Sequence, residues 1–180
     1  AGAWYSPTGH LLYTDRAGGL FAAGLDLKTL ALTSGAVPVI DGVDPNSLAL
    51  SSSGTLVYTV GGSTERTTAL VWVTRDGRST PVDSTWRGNF QYPSLSPDGQ
   101  ALTVSVVDGA THLWIRRADG TRQKLTQDGT FNWRASWFPD GRSIAFVSNS
   151  RGSDNRDETD IYRMPIDGSA TPTLLFHHRY

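Results

Sequence analysis

Two short stretches gather the residue types that do binding chemistry. Trp86, Arg87, Phe90 and Tyr92 form the first, and Phe131, Trp133 and Arg134 form the second. Aromatic rings and guanidinium groups bury much area at modest entropic cost, so such clusters are enriched at binding rims. Packing a loop against the body of the protein uses the same side chains, and for any single ring that is the plainer reading. A third stretch is acidic. It holds Asp154, Asp157, Glu158 and Asp160, with Asn155 among them. Oxygen-rich spacing suits a hard cation such as calcium. The central glycine of an EF-hand loop is missing, and a solvated acidic loop is the plainer reading of the run. No cofactor is therefore expected, with calcium as the one candidate metal.

Catalytic patterns are weak. The histidines are His10, His112, His177 and His178. The first two are expected at exposed strand starts, and the last two sit at the end of the chain. Neither His-Glu-x-x-His nor Gly-x-Ser-x-Gly occurs. Serine and aspartate cluster at turn positions, where bonds from side chain to backbone account for them. Paired carboxylates for glycoside hydrolysis would have to converge from distant segments. The expectation is a protein that is not an enzyme.

The elements that would position these residues are repeats. A hairpin glycine recurs at Gly9, Gly54, Gly99 and Gly141, at spacings of 45, 45 and 42 residues. Its contexts are Ser6-Pro-Thr-Gly, Ser51-Ser-Ser-Gly, Ser96-Pro-Asp-Gly and Phe138-Pro-Asp-Gly. A strand-forming run follows each time, then a third strand at Leu20, Leu70, Leu113 and Ile161. Asp76-Gly, Asp119-Gly and Asp167-Gly turn three of these into a fourth strand. In the first repeat, 26–34 reads as a longer connection or a helical turn before a fourth strand at Val37-Pro-Val-Ile.

Four strands per unit at this period describe a β-propeller blade. The prediction is an all-β, single-domain chain over 1–180, with blades near 1–43, 44–86, 87–129 and 130–180. A β-sandwich of short hairpins is the alternative. In a propeller the loops joining successive blades gather at one mouth. Here those loops are 41–47, 83–92 and 127–134, and the last two hold the seven aromatic and arginine residues as a binding rim. Four blades make a partial ring with two exposed faces, and large apolar faces seek a partner. A homodimer with eight blades is one solution, and a closed four-bladed monomer is the other.

Bulk properties agree with a globular, turn-rich chain. It has 180 residues, 38% of them hydrophobic, and 19 glycines. A net charge of -1 gives no electrostatic case for nucleic acid or an anionic membrane. No apolar run is long enough to span a bilayer. Cysteine is absent, which excludes disulfides and thiolate metal sites. The chain opens on alanine without a visible signal peptide, which suggests a fragment or a processed product.

Ser96-Pro-Asp-Gly, Phe138-Pro-Asp-Gly followed by Ile144-Ala-Phe-Val-Ser-Asn, and Asp160-Ile-Tyr with Asp167-Gly resemble the WD40-like repeat of TolB-type propellers. More narrowly, Leu70-Val-Trp-Val-Thr-Arg-Asp-Gly and Tyr92-Pro-Ser-Leu-Ser-Pro-Asp-Gly resemble the propeller that follows the kinase domain in some bacterial serine/threonine kinases. The resemblance covers the whole chain and is strongest in the last two repeats. No kinase motif is present. Phe138 departs from the family's serine. The resemblance implies a sensing or protein-binding module of a larger bacterial protein, outside the cytoplasm in the periplasm or at the cell surface. An enzyme's propeller portion, hydrolase-associated or glycosidase- or lyase-like, is the alternative; a half-propeller with only a self-assembly role is the third reading.

Overall fold

The computed structural model describes residues 2–15, 18–43, 48–51, 54–60, 67–74, 76–149 and 159–177. Four sheets follow one another along the chain. The first contains β1 (Ala3–Ser6), β2 (His10–Thr14), β3 (Leu20–Asp26), β4 (Ala31–Leu32) and β5 (Val37–Ile40). The second contains β6 (Leu48–Leu50), β7 (Leu56–Val60), β8 (Ala69–Val73) and β9 (Ser79–Pro81). The third contains β10 (Asn89–Leu95), β11 (Ala101–Asp108), β12 (Ala110–Arg117) and β13 (Arg122–Lys124). The fourth contains β14 (Asn132–Trp137), β15 (Ser143–Ser148), β16 (Asp160–Pro165) and β17 (Thr173–Phe176). All pairing within the sheets is antiparallel and joins successive strands, apart from β5, which returns to β3. There is no helix among the described residues.

The first sheet carries one strand more than predicted. The connection after β3 folds back as a tight hairpin, pairing Leu25 with Leu32 and Asp26 with Ala31. It is not a helical turn. The Asp26 carboxylate accepts the Lys28 amide at 2.8 Å, which competes with helical bonding and favours a turn.

The repeated glycine does the same job four times. Its amide donates to the carbonyl three residues earlier, at Gly9→Ser6, Gly54→Ser51, Gly99→Ser96 and Gly141→Phe138, over 2.8–3.0 Å. In the third repeat the Ser96 hydroxyl donates to the Asp98 carboxylate at 2.6 Å and accepts the Ala101 amide at 2.8 Å. That hydroxyl, helped by the Gln100 amide, holds the Asp98 carboxyl below its ordinary range. Gly99 has φ +71, and a Cβ there would meet open space. Only backbone strain therefore opposes a side chain. Gly99→Ala should cost about 1 kcal/mol, and a urea titration showing no loss would contradict this. Phe138 replaces the serine of this turn, and its ring lies under the Arg163 guanidinium at 4.4 Å.

Turn length sets the register. Ser51 N–H reaches Thr55 O, four residues on, whereas Ser96 N–H reaches Ala101 O and Phe138 N–H reaches Ser143 O, five residues on. Leu56 and Tyr58 thus correspond to Leu102 and Val104, and to Ile144 and Phe146. A slip of one residue would turn each set to the opposite face of its sheet.

The sheets stack in chain order through three apolar clusters. Leu20 and Val43 meet Leu48, Leu56, Tyr58, Val71 and Val73 between the first and second sheets. Val57, Leu70 and Val82 meet Phe90, Leu102 and Val104 between the second and third. Leu113, Ile115 and Leu125 meet Ile144, Phe146, Tyr162 and Met164 between the third and fourth. No cluster among the described residues joins the fourth sheet to the first, and the ring is open.

Candidate functional site

The predicted rim residues divide into three groups. Trp86 stands edge-on to Phe90 at 4.9 Å and tilts against Trp114 at 6.3 Å. The Arg122 guanidinium lies 5.6 Å from the Trp86 ring. Asp83 is 3.8 and 3.9 Å from the Nε atoms of Arg122 and Arg116. Its carboxyl is held below the usual range, first by the Thr85 hydroxyl and amide and then by these guanidinium groups. This group seals the seam between the second and third sheets. Phe90 is only 2% exposed, so its ring serves the core and does not reach a mouth.

The second group pairs two neighbouring sheets. The prediction placed Tyr92 and Arg134 in loops, and Trp133 with them. The structure places all three in innermost strands, β10 and β14. Each strand carries a bulge, between Gln91 and Ser94 in β10 and between Trp133 and Ser136 in β14. The bulges put Tyr92 at φ 51 and Arg134 at φ 56. Among the described residues, Leu30 is the only other non-glycine with positive φ. A bulge re-aims a side chain that would otherwise follow the alternation of the strand. Here both side chains are turned toward each other, and the Arg134 guanidinium stacks 4.7 Å from the Tyr92 ring centre. Left-handed backbone at non-glycine residues costs energy and gathers at binding and active sites. Arg134 is exposed and makes no hydrogen bond or ion pair among the described residues. Arg87 is also exposed and is likewise without such a partner.

The third group is Phe131 with Trp133, 5.9 Å apart. Their backbone is fixed by residues the sequence reading did not single out. Asn132 is 1% exposed, and its Nδ2 donates to Asp128 O at 2.9 Å and to Thr111 O at 3.3 Å. The Ser148 hydroxyl donates to Asn132 Oδ1 at 2.7 Å. Asn149 Oδ1 accepts the Thr130 and Phe131 amides at 3.0 and 2.9 Å. The signal was present in the Ser148-Asn149 pair, which sequence reading used only as a repeat marker.

Of the acidic candidates, Asp154, Asp157 and Glu158 lie outside the described residues. Asp160 opens β16, is buried, and has His177 Nδ1 at 2.7 Å from its Oδ1. The described residues contain no group of three or more potential metal ligands. His10 begins β2 and is exposed, as expected. His112 differs from expectation: it is half-buried within β12, and burial pushes its imidazole pKa down. Two grooves, of about 630 and 510 Å³, open between the first and second and between the third and fourth sheets, and neither is lined by Tyr92 or Arg134.

No protein-family profile matches the chain. Its structure is similar to the crystal structure of TolB from Acinetobacter baumannii, with TM-score 0.74 and 17% identity over 98% of this chain and 43% of that one. It is also similar to an oligogalacturonate lyase in complex with manganese, at 0.59 and 20% over 92% and 50%. A prolyl endopeptidase matches at 0.61 and 10% over 99% and 29%. The chain spans no more than half the length of each. At these identities the likeness shows the fold, which is that of TolB-type and other β-propellers. No described helix is long and apolar enough to cross a membrane.

Proposed function

We propose that this chain is a non-catalytic binding module of propeller type. It serves as the sensing or interaction part of a larger bacterial protein, in the periplasm or at the cell surface. The placement outside the cytoplasm rests on the repeat resemblance. The observation that carries the binding reading is the pair Tyr92 and Arg134, which occupy matching bulges in adjacent inner strands and stack on each other. Stacking fixes the guanidinium plane and leaves its edge N–H donors available. A fixed guanidinium is suited to bidentate contact with a carboxylate. The ligand is thus a protein or small molecule that presents an anionic group.

Titrating the chain with a short peptide carrying a free C-terminal carboxylate, followed by NMR, should shift the Tyr92 and Arg134 amides. The amidated peptide should not. Arg134→Ala should abolish the shifts while lowering stability by no more than about 1 kcal/mol, the size of an exposed cation–π contact. Equal shifts from both peptides, or unchanged binding by Arg134→Ala, would count against the site.

A further inference from the structure

One core position of the repeat holds a charge. On the face that each sheet turns to the one before it, Leu50 pairs with Leu56 and Leu56 with Val73 in the second sheet. In the fourth, Trp137 pairs with Ile144 and Ile144 with Met164. Val73 and Met164 are 5% and 2% exposed and pack in their seams. The third sheet sets Leu95, Leu102 and Arg116 in the same row, and Arg116 pairs with Arg122 in β13. Arg116 thus stands where the neighbouring repeats place valine and methionine, and its side chain is only 17% exposed. Packing between sheets does not require a guanidinium there.

The protein leaves this arginine short of acceptors. Its Nε is buried without a hydrogen-bond partner. Among the described residues its only hydrogen bond runs from Nη1 to Arg117 O, at 3.3 Å. Asp83 stands 3.9 Å from Arg116 Nε and 3.8 Å from Arg122 Nε, too far for a hydrogen bond to either. Its carboxylate serves its own turn, accepting the Thr85 amide at 2.9 Å and the Thr85 hydroxyl at 2.7 Å. Two guanidinium charges therefore share one carboxylate, a surplus of one positive charge. Burying a guanidinium with donors unmet costs stability, and such a donor in a native fold commonly faces a water or an ion.

The missing acceptor has room. A cavity of about 260 Å³ opens in this seam, lined by Arg116 and by Trp72 of β8. Trp72 belongs to the second sheet and packs toward the third, so the two side chains come from opposite walls. Gln100 and Ala118 are exposed at the rim, in or beside the turns that open β11 and β13. Strand order puts these turns at the opposite end of the third sheet from the loops leading into β10 and β14. The cavity is therefore separate from the Tyr92 and Arg134 pair. Both walls belong to sheets that are already neighbours, so sheets added at either end of the chain would not fill it. Its volume admits a small molecule and not a folded partner.

Charge selects among anions. Asp98 and Asp119 stand in the two rim turns and accept the Gln100 and Thr121 amides at 3.0 and 2.8 Å. Together with Asp83 they oppose a second negative charge on a ligand. A single carboxylate balances the surplus and matches the guanidinium fork. We propose that this cavity binds a small molecule bearing one carboxylate, held by Arg116 and resting its apolar part on Trp72.

Benzoate is the probe, with benzamide as its neutral counterpart and phenyl phosphate as a dianion. In NMR titrations of the chain, benzoate should shift the Arg116 Nε–H, the Trp72 indole N–H and the Ala101 amide together, with a dissociation constant of about 1 mM or lower. Benzamide should leave all three in place, and phenyl phosphate should bind more weakly than benzoate. Arg116→Met should fold, since Met164 fills the same place in the fourth sheet and Asp83 keeps Arg122 and Thr85. It should weaken benzoate, read at Trp72 and Ala101, by about tenfold or more. Arg116→Lys keeps the charge and decides the case independently, since losing the planar fork should also weaken benzoate severalfold. No saturable shift by about 10 mM benzoate overturns the proposal, and water alone then meets the arginine. Equal shifts from benzamide, tighter binding of phenyl phosphate, or unchanged affinity in either folded variant overturns it as well. In Arg134→Ala all three shifts should persist, so failure here is separable from failure of the binding reading; their loss there would move benzoate to Arg134 and remove the cavity site.

Discussion

Phe90→Ala is expected to lower the unfolding free energy by about 3–5 kcal/mol, the range for removing a buried aromatic ring. The ring is 2% exposed and stands among Val57, Leu70, Leu102 and Val104 where the second and third sheets meet. Two rings could relax into the space it leaves, and neither is free to move. Trp86 is pinned by its Asp83 turn and by the Arg122 guanidinium above it. Trp114 is held within β12 by pairing with Val104 and Lys124. The cavity should therefore persist, which places the cost toward the upper end. In urea, with a slope near 2 kcal/mol per molar for a domain of this size, the midpoint should fall by about 2 M. Trp86→Ala should cost less, because that ring is only partly buried at the edge of the cluster. A loss below about 1 kcal/mol for Phe90→Ala, together with a change in ligand binding, would return the ring to the rim.

Phe90 also shows why the site was only partly legible in the sequence. Aromatic and arginine residues mark both rims and seams between sheets, and composition does not separate the two. Alternation does: Phe90 pairs with Val106 and shares its face with Leu102 and Val104, so the register buries it. The register was itself hidden. The repeated glycine marks each hairpin, because the left-handed turn is a local requirement that glycine meets at no steric cost. Whether the following strand begins four or five residues after the turn's first residue is settled by the packing of its apolar face. Aligned on glycine, Leu56 falls opposite Ala101; aligned on the turn bonds, it matches Leu102. The bulges were hidden for a related reason. Glycine and asparagine ordinarily announce left-handed backbone, and here the residues are tyrosine and arginine. The predicted loops to Tyr92 and Arg134 overshot for that reason, taking the first residues of β10 and β14 as loop. What the sequence did carry was the order of strands and the turns between them, since both follow from local chemistry repeated four times.

The polar anchor beneath the site supports the second large effect. Asn132 makes three hydrogen bonds from a position 1% exposed, two of them to the Asp128 and Thr111 carbonyls. Asn132→Leu keeps the volume and removes all three. Losing a partner from a buried polar group costs about 1–3 kcal/mol each, so a total near 3 kcal/mol is expected, allowing for partial relaxation of the 127–131 loop. Asn132→Asp is the sharper test. It offers two carbonyls a carboxylate where they need a donor, so both burial and repulsion disfavour the charged form. The folded-state pKa of this aspartate should rise above the unfolded value near 3.9. The variant is then best folded below about pH 4 and loses stability as pH rises through the folded pKa, opposite to the trend of a hydrogen-bonded native carboxylate such as Asp98. Hydrogen exchange locates the damage. The Thr130 and Phe131 amides, which donate to Asn149, should exchange faster in both variants as the loop loosens. A pH-independent Asn132→Asp variant with unchanged exchange at these two amides would mean that Asn132 does not hold the loop. In that case the placement of Arg134, two residues further along the strand, must be fixed by the β14 bulge alone.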